Sequence, residues 1–444
     1  MAGTRKLCLQ NIMGWVANGS EEKDLVQSST YWIYGLPGIG KTSLAHSTCA
    51  SLDDQRQLAG AFFCRRGDPN LSKTKNILPT LIHKLAWVLP SFRSRVASRL
   101  RSNPNLTTDS MEELLVLDFF HNLPHSPNHF LVFIIDAFDE CGDHRSRPAL
   151  LKLLTSVAAR VSWLKIIITS RPEADIKNFF DQSSYLRYDL ATDKEANHDL
   201  RTFAQSQFYL VAWKWRLATD WPGTSLLDRF ISRAGGLFIF IKTLALALHD
   251  CVNPTNCLKA ISEEDGAWPN PLYGLYSYIL SSRRVRSNAE FQRVMGVLVT
   301  VAPHRALCEE TIAELAGVQP NLVRRWVRDL SSLLYRDQGI NGGISVRHLS
   351  ISEFLVSDDC SYDYRINPRD ANVHLGIACL KTMAFQLRVN ICGLKDSRVP
   401  NVDVGDSPPE SPRIFPTACS IVLFTGRITF VGLPTIMISG CGKV

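Results

Sequence analysis

Short apolar runs and segments of helical period alternate over the first 190 residues of the chain. Thr30–Tyr34 (TYWIY) is β-branched and aromatic and ends at glycine, which predicts a strand. Further strands are predicted at 58–64, 130–135, 164–169 and 185–190. The run FLVFII at 130–135 has no polar break, as expected of a parallel strand covered on both faces. Between these runs, apolar residues fall at helical spacing in 6–18, 43–52, 77–89, 92–100, 111–123 and 147–161. Alternation of this kind predicts an α/β fold around a parallel sheet.

After residue 191 the pattern becomes helical, at 194–208, 226–234, 237–250, 275–282, 289–301, 309–315 and 322–330. A hairpin is predicted from 333–335 and 344–347, turning around Asn341, Gly342 and Gly343. Helices followed by a hairpin imply a winged-helix-like unit. Five prolines in 400–416 mark a linker. The expected organisation is a helix and loop at 1–29, an α/β domain at 30–190, a helical domain at 191–274, a winged-helix-like domain at 275–360 and an irregular tail at 361–444.

Composition narrows the class. Hydrophobic residues make up 45% and charged residues 20% of the 444, which excludes a mostly disordered chain. The net charge of +7 is mild for this length. The arginines of 93–101 and 283–286 lack interleaved aromatics, so they are solvated helix faces rather than a nucleic-acid platform, and nucleic acid is not an expected partner. The 12 cysteines show no paired short spacing, so thiols in a reducing compartment are expected, and the location is cytoplasmic. The N-terminus has no continuous apolar segment of the secretory kind. The apolar stretch at 237–248 is too short to cross a bilayer, and that at 421–439 is broken by Gly426, Arg427, Gly432 and Pro434, so no membrane span is expected.

The chemistry concentrates at the ends of three predicted strands. Gly35-Leu36-Pro37-Gly38-Ile39-Gly40-Lys41-Thr42-Ser43 contains G-x-x-x-x-G-K-[ST] between a strand and a helix, the P-loop context. Its glycines let successive N–H groups turn inward on phosphate oxygens. Lys41 would reach the outer phosphates and the Thr42 hydroxyl would bind Mg²⁺. The strand at 130–135 runs into Asp136-Ala137-Phe138-Asp139-Glu140. A carboxylate after six apolar residues needs a cation, so Asp136 is the second metal residue. Glu140, then Asp139, is the candidate for polarising an attacking water, against the alternative that the two cap the next helix. The strand at 164–169 ends in Thr169-Ser170-Arg171-Pro172. Ligands bind outside the carboxyl ends of such strands, so Arg171 would face the γ-phosphate; the alternative is a surface pair with Glu173 or Asp175.

GLPGIGKTSL, FLVFIIDAFDEC and IIITSRP together resemble the NACHT class of P-loop NTPases, and in particular the fungal, nephrocystin-like members of it. The leader GTRKLCLQNIMGWV, the glycine pair Gly235-Gly236 and the segment 346–355 also resemble parts of those proteins, and the likeness covers about 3–357. The resemblance implies a signal-transducing ATPase that ADP holds closed and that ATP opens for self-association, with an unknown upstream ligand and effector. Some members prefer GTP, so the expected cofactors are ATP/ADP or GTP/GDP with Mg²⁺. It also places His348 near the β-phosphate of bound ADP, although the local sequence differs from the usual triplet and a core or surface histidine is the alternative. With about 30 residues before the P-loop and no repeats after the winged helix, neither an effector domain nor a sensor array is expected. The expected function is therefore a slowly hydrolysing nucleotide switch. The alternatives are a truncated nucleotide-binding interaction protein and a fast-turnover NTPase.

Overall fold

The computed structural model describes residues 4–17, 29–66, 68, 70–102, 129–182, 185–193, 195–263, 269–282, 289–301, 306–336, 342–361 and 363–386. The helix expected at 111–123, the arginines at 283–286 and the proline-rich stretch after 395 lie outside them. The chain divides into two compact units, Met1–Leu272 and Tyr273–Val444.

The first unit is built on a five-stranded parallel sheet of β1 (Thr30–Tyr34), β2 (Leu58–Phe63), β3 (Leu131–Asp136), β4 (Leu164–Ser170) and β5 (Leu186–Asp189), in the order β2-β3-β4-β1-β5. Alternate residues of each strand enter different cores. Trp32, Phe133, Ile135, Ile166 and Ile168 face one cluster, and Tyr31, Ile33, Val132, Ile134 and Ile167 the other. This two-sided burial is why the strand sequences read as unbroken apolar runs. Helices α3 (Ile77–Val88), α4 (Pro90–Ser102), α5 (Ser146–Arg160) and α6 (Ala174–Asp181) supply the first cluster with Leu81, Leu85, Phe92, Leu151, Leu154 and Phe180. Helices α1 (Lys6–Ala17) and α2 (Lys41–Asp54) supply the second with Ile12, Val16, Leu44 and Leu52.

Register decides where the chemistry sits. Tyr34 pairs with Ser170 and Asp189, Phe63 with Asp136, and Ile135 with Ile168. The strand ends therefore share one edge of the sheet, with β4 lying between the P-loop strand β1 and the acidic strand β3. Beyond β5, the helices α7 (Ala196–Trp215), α8 (Thr224–Ala234), α9 (Phe238–His249) and α10 (Pro254–Glu263) follow in the same unit. Two of the helices, α6 and α10, lie where no helix is expected; both are short, and in α6 only Ile176 and Phe180 are buried, too few to print a period.

Helix α11 (Pro271–Ser282) spans the division between the units. The second unit then packs α12 (Ala289–Val301), α13 (Glu309–Ala316) and α14 (Pro320–Asp329) with the antiparallel hairpin of β6 (Leu334–Arg336) and β7 (Ile344–Val346), followed by α15 (Leu349–Val356). The order of helices and hairpin is winged-helix-like, and Gly317, in the left-handed region at φ 62°, closes α13. The expectation of an irregular 361–444 is corrected over Pro368–Gln386, which forms α16. This helix packs on α12 and α13, burying Leu375, Cys379 and Thr382. Its apolar residues also occur on the outer side, at Val373, Ile377, Leu380 and Phe385, so no single face stands out in the sequence.

Candidate functional site

The loop between β1 and α2 holds the candidate phosphate cradle. Gly38 (φ 80°) and Gly40 (φ 104°) are left-handed, and α2 starts at Lys41 on Gly40 as its cap. Gly35 is buried, Pro37 is half-buried, and Thr42 and Ser43 occupy the first turn of α2, Thr42 exposed and Ser43 half-buried. The Lys41 Nζ donates to the carbonyl oxygens of Gly35 (2.6 Å) and Leu36 (3.0 Å). Burial lowers its pKa to about 8, partly countered by Asp139.

Asp136 is 2% exposed at the end of β3. Thr169 Oγ1 donates to its Oδ1 at 2.5 Å, and the Thr42 hydroxyl stands near enough to favour its charged form. Burial still pushes its carboxyl above the ordinary carboxylate range. The carboxylate thus lies in a place that favours a cation, with the Thr42 hydroxyl beside it. Among the described residues no cluster of three or more His, Cys, Asp or Glu forms a metal cage. Asp136 and Thr42 fit Mg²⁺, which is commonly held by one or two protein groups, water and substrate phosphates.

Asp139 is 3% exposed and engages Arg171 twice. Its Oδ1 accepts the Arg171 N–H at 2.9 Å, and its Oδ2 lies 3.4 Å from the Arg171 Nε. Arg171 pairs with Asp139, while Asp175 is taken by Arg147 in two bonds, Nε at 2.8 Å and Nη2 at 3.1 Å. The free N–H groups at the start of α5 are met by Asp143, which accepts from Arg145 (3.1 Å) and Ser146 (2.8 Å). Glu140 is left half-buried, with Oε2 accepting the Arg66 N–H at 3.1 Å and its carboxyl pushed up by burial.

Thr169, Arg147 and the Arg66 backbone are site groups that sequence reasoning did not assign. Thr169 stands in the quoted strand end, and its position between the loop and Asp136 follows only from β4 lying between β1 and β3. Thr169 Oγ1 also accepts the N–H of Ala137 at 3.1 Å. Ala137 itself is left-handed, at φ 54°, which is the backbone strain expected where a turn must aim the following acids.

His348 belongs to the second unit. Its Nδ1 accepts the Ser350 N–H at 3.2 Å and lies 2.6 Å from Ser350 Oγ, which in turn meets Tyr276 Oη at 2.8 Å. The geometry gives it the work of capping α15.

Residues 11–171 match the family described as Nephrocystin 3, N-terminal. None of the curated proteins matches the chain. Solved structures with similar folds include a Walker-type ATPase of Pyrococcus abyssi (13% identity, 79% of this chain and 95% of that one, TM-score 0.36). Others are the Drosophila ORC bound to DNA (18%, 75% and 88%, 0.35) and Cdc6p from Pyrobaculum aerophilum (12%, 82% and 96%, 0.34). The matched range, the loop and the sheet make the first unit a P-loop NTPase domain of α/β architecture. Among the described residues no helix is long and apolar enough to cross a membrane.

Proposed function

We propose that the chain is a nucleotide-dependent signalling switch of the NACHT type, binding ATP or GTP with Mg²⁺, hydrolysing it slowly and self-associating in the triphosphate state. Lys41 and the loop amides would hold the phosphates. Asp136 and Thr42 would hold the ion, which when bound neutralises phosphate charge. Glu140, with a carboxyl raised by burial, is the candidate base for the attacking water. Asp139, occupied by Arg171, orients that arginine toward the phosphate edge rather than acting as the base.

The observation that carries the switch over a plain enzyme is the contact between the loop and α9. The Ile239 N–H donates to the Gly38 carbonyl at 3.3 Å, and a Cβ on Gly38 would lie 2.1 Å from Ile239 Cγ2. The loop and α9 are thus in direct contact, so a change in the loop would be felt at α9. An equilibrium shifts only when two ligands contact its states differently, and the γ-phosphate opposite Arg171 is the difference between the two nucleotides.

Glu140→Gln tests the reading. It should bind ATP but slow hydrolysis by about 10²–10⁴-fold, since an amide cannot accept the proton. Trapped in the triphosphate state, it should elute larger on size exclusion with ATP than with ADP. Lost turnover with identical elution and protease sensitivity in both nucleotides would favour a simple NTPase. Hydrolysis at the wild-type rate would remove Glu140 from catalysis.

A further inference from the structure

Arg5 stands before α1, far in sequence from the P-loop, yet it is 4% exposed. Its backbone is left-handed at φ 57°, a conformation that a side chain of this size adopts at a cost. Its Nη1 is paired with Asp193 at 2.7 Å, and its backbone N–H donates to Asp199 Oδ2 at 2.8 Å. The guanidinium lies over the Phe238 ring at the start of α9, 5.4 Å from its centroid. The second terminal nitrogen, Nη2, donates to the carbonyl oxygen of Ile39 at 3.1 Å, inside the phosphate loop. Nε has no partner although it is buried. The terminal nitrogens of this strained, buried arginine thus make its side-chain contacts, Nη1 reaching the Leu190 carbonyl at 3.5 Å as well as Asp193, and Nη2 the loop.

The peptide bond supplies the consequence. A trans peptide is planar, and its C=O and N–H point in opposite directions. The carbonyl of Ile39 and the N–H of Gly40 belong to one such unit. With the carbonyl held outward by Arg5, the Gly40 N–H is aimed to the other side. In the preceding unit the Gly38 carbonyl accepts from Ile239 N–H at 3.3 Å, while the Ile39 N–H turns back to the Leu36 carbonyl at 3.4 Å. Two consecutive loop carbonyls are thus held from outside by donors on the leader and on α9.

We propose that Arg5 is a positioning residue of the phosphate site: by holding the Ile39 carbonyl it fixes the Gly40 amide for the phosphates, and through Phe238 it ties that geometry to α9. Asp193 anchors the guanidinium so that Nη2 remains on Ile39. Lysine cannot substitute, because a single ammonium lacks the planar fork that spans an aspartate and a carbonyl. The inference rests on the nucleotide reading and gives it a specific route from phosphate to helix.

The test uses the full chain and two probes, ADP and inorganic pyrophosphate, titrated calorimetrically into wild type, Arg5→Lys and Arg5→Met. Arg5→Lys keeps a cation beside Asp193, so its melting temperature without ligand should stay near that of wild type. Both probes should nevertheless bind it about tenfold more weakly, by the same factor, because the lost group acts on a phosphate amide through a charge-assisted bond. Hydrogen exchange should show ADP protecting the Gly40 amide and the start of α9 in wild type, with that protection reduced in the variant. Arg5→Met should lose more affinity; if it does not fold, Arg5→Lys decides. Arg5→Lys that binds ADP and pyrophosphate as tightly as wild type overturns the proposal and leaves the nucleotide reading standing. A folded wild type that binds neither probe overturns both.

Discussion

At the scale of single residues, the site and the opposite end of the sheet use buried charge in different ways. At the carboxyl edge, Lys41 and Asp136 are both desolvated and both shifted toward neutrality, the poise of groups that charge fully when a phosphate and a cation arrive. At the other edge, Lys165 of β4 donates to the Trp15 carbonyl at 2.5 Å, with Val16 O at 3.4 Å, and lies 4.7 Å from the Trp15 ring centroid. It closes the C-terminal end of α1, whose last carbonyls have no partner in the helix. Burial lowers its pKa from 10.5 to about 8. The unfolded chain therefore binds more protons than the fold between those values, so this group's contribution to stability rises as pH rises from about 8 to 10.5. Lys165→Met should cost about 1–3 kcal/mol by leaving those carbonyls unmet. Urea melts at pH 7.5 and pH 10 should show the gap widening in favour of wild type at the higher pH. A gap that narrows would mean that the buried ammonium is better solvated than its surroundings imply.

At the scale of elements, the strand–loop–helix unit at 30–54 is held by its neighbours as much as by its own sequence. Gly38 shows both constraints at one position. Its φ of 80° disfavours any side chain, and its Cβ direction is filled by Ile239 of α9. Gly38→Ala should therefore lower stability by about 1–3 kcal/mol through overpacking, on top of about 1–2 kcal/mol of backbone strain. Adding Ile239→Ala removes the Cγ2 contact at 2.1 Å but keeps the Ile239 Cβ at 2.8 Å, so it should return part of the packing loss and leave the strain, a coupling that a double-mutant cycle of thermal melts resolves. Additive losses would show that α9 is not what constrains the loop. The cycle also checks the contact on which the switch reading stands.

At the scale of the molecule, two units are joined through α11, and the second is completed by a helix that its sequence hides. Helix α16 covers α12 at Gly296, where a Cβ would come within 3.2 Å of Ala371 Cβ, so the two backbones approach closely. A chain ending at 386 keeps this helix, whereas one ending at 367 uncovers α12 and α13. The shorter chain should lose the melting transition of the second unit or aggregate, while the longer one should keep that transition. Equal behaviour of the two would mean that α16 packs too weakly to matter. Mutual burial of Leu375 and Cys379 argues otherwise.

Local chemistry was legible in the residues alone. The β1, β3 and β4 runs are apolar on both faces because both are buried, and the loop glycines and the acids after β3 keep their spacing wherever the chain folds. What the residues could not show is which strand lies beside which. Sheet order places β4 between β1 and β3, and only that brings Thr169 to Asp136 and Arg171 to Asp139 across more than thirty residues. Arg5 was invisible for the same reason. Its partners Ile39, Asp193, Asp199 and Phe238 are separated by up to 233 positions, and no periodicity reports a contact that long-range packing alone creates. Helix α16 was missed because apolar residues surround it, and a period marks a buried face only when the other face is polar. The residues thus determined the kinds of element and the kinds of chemistry, because those depend on neighbours in sequence. Tertiary structure decided which carboxylate meets a cation, which pairs with arginine and which stays available, because burial and opposition are properties of neighbours in space.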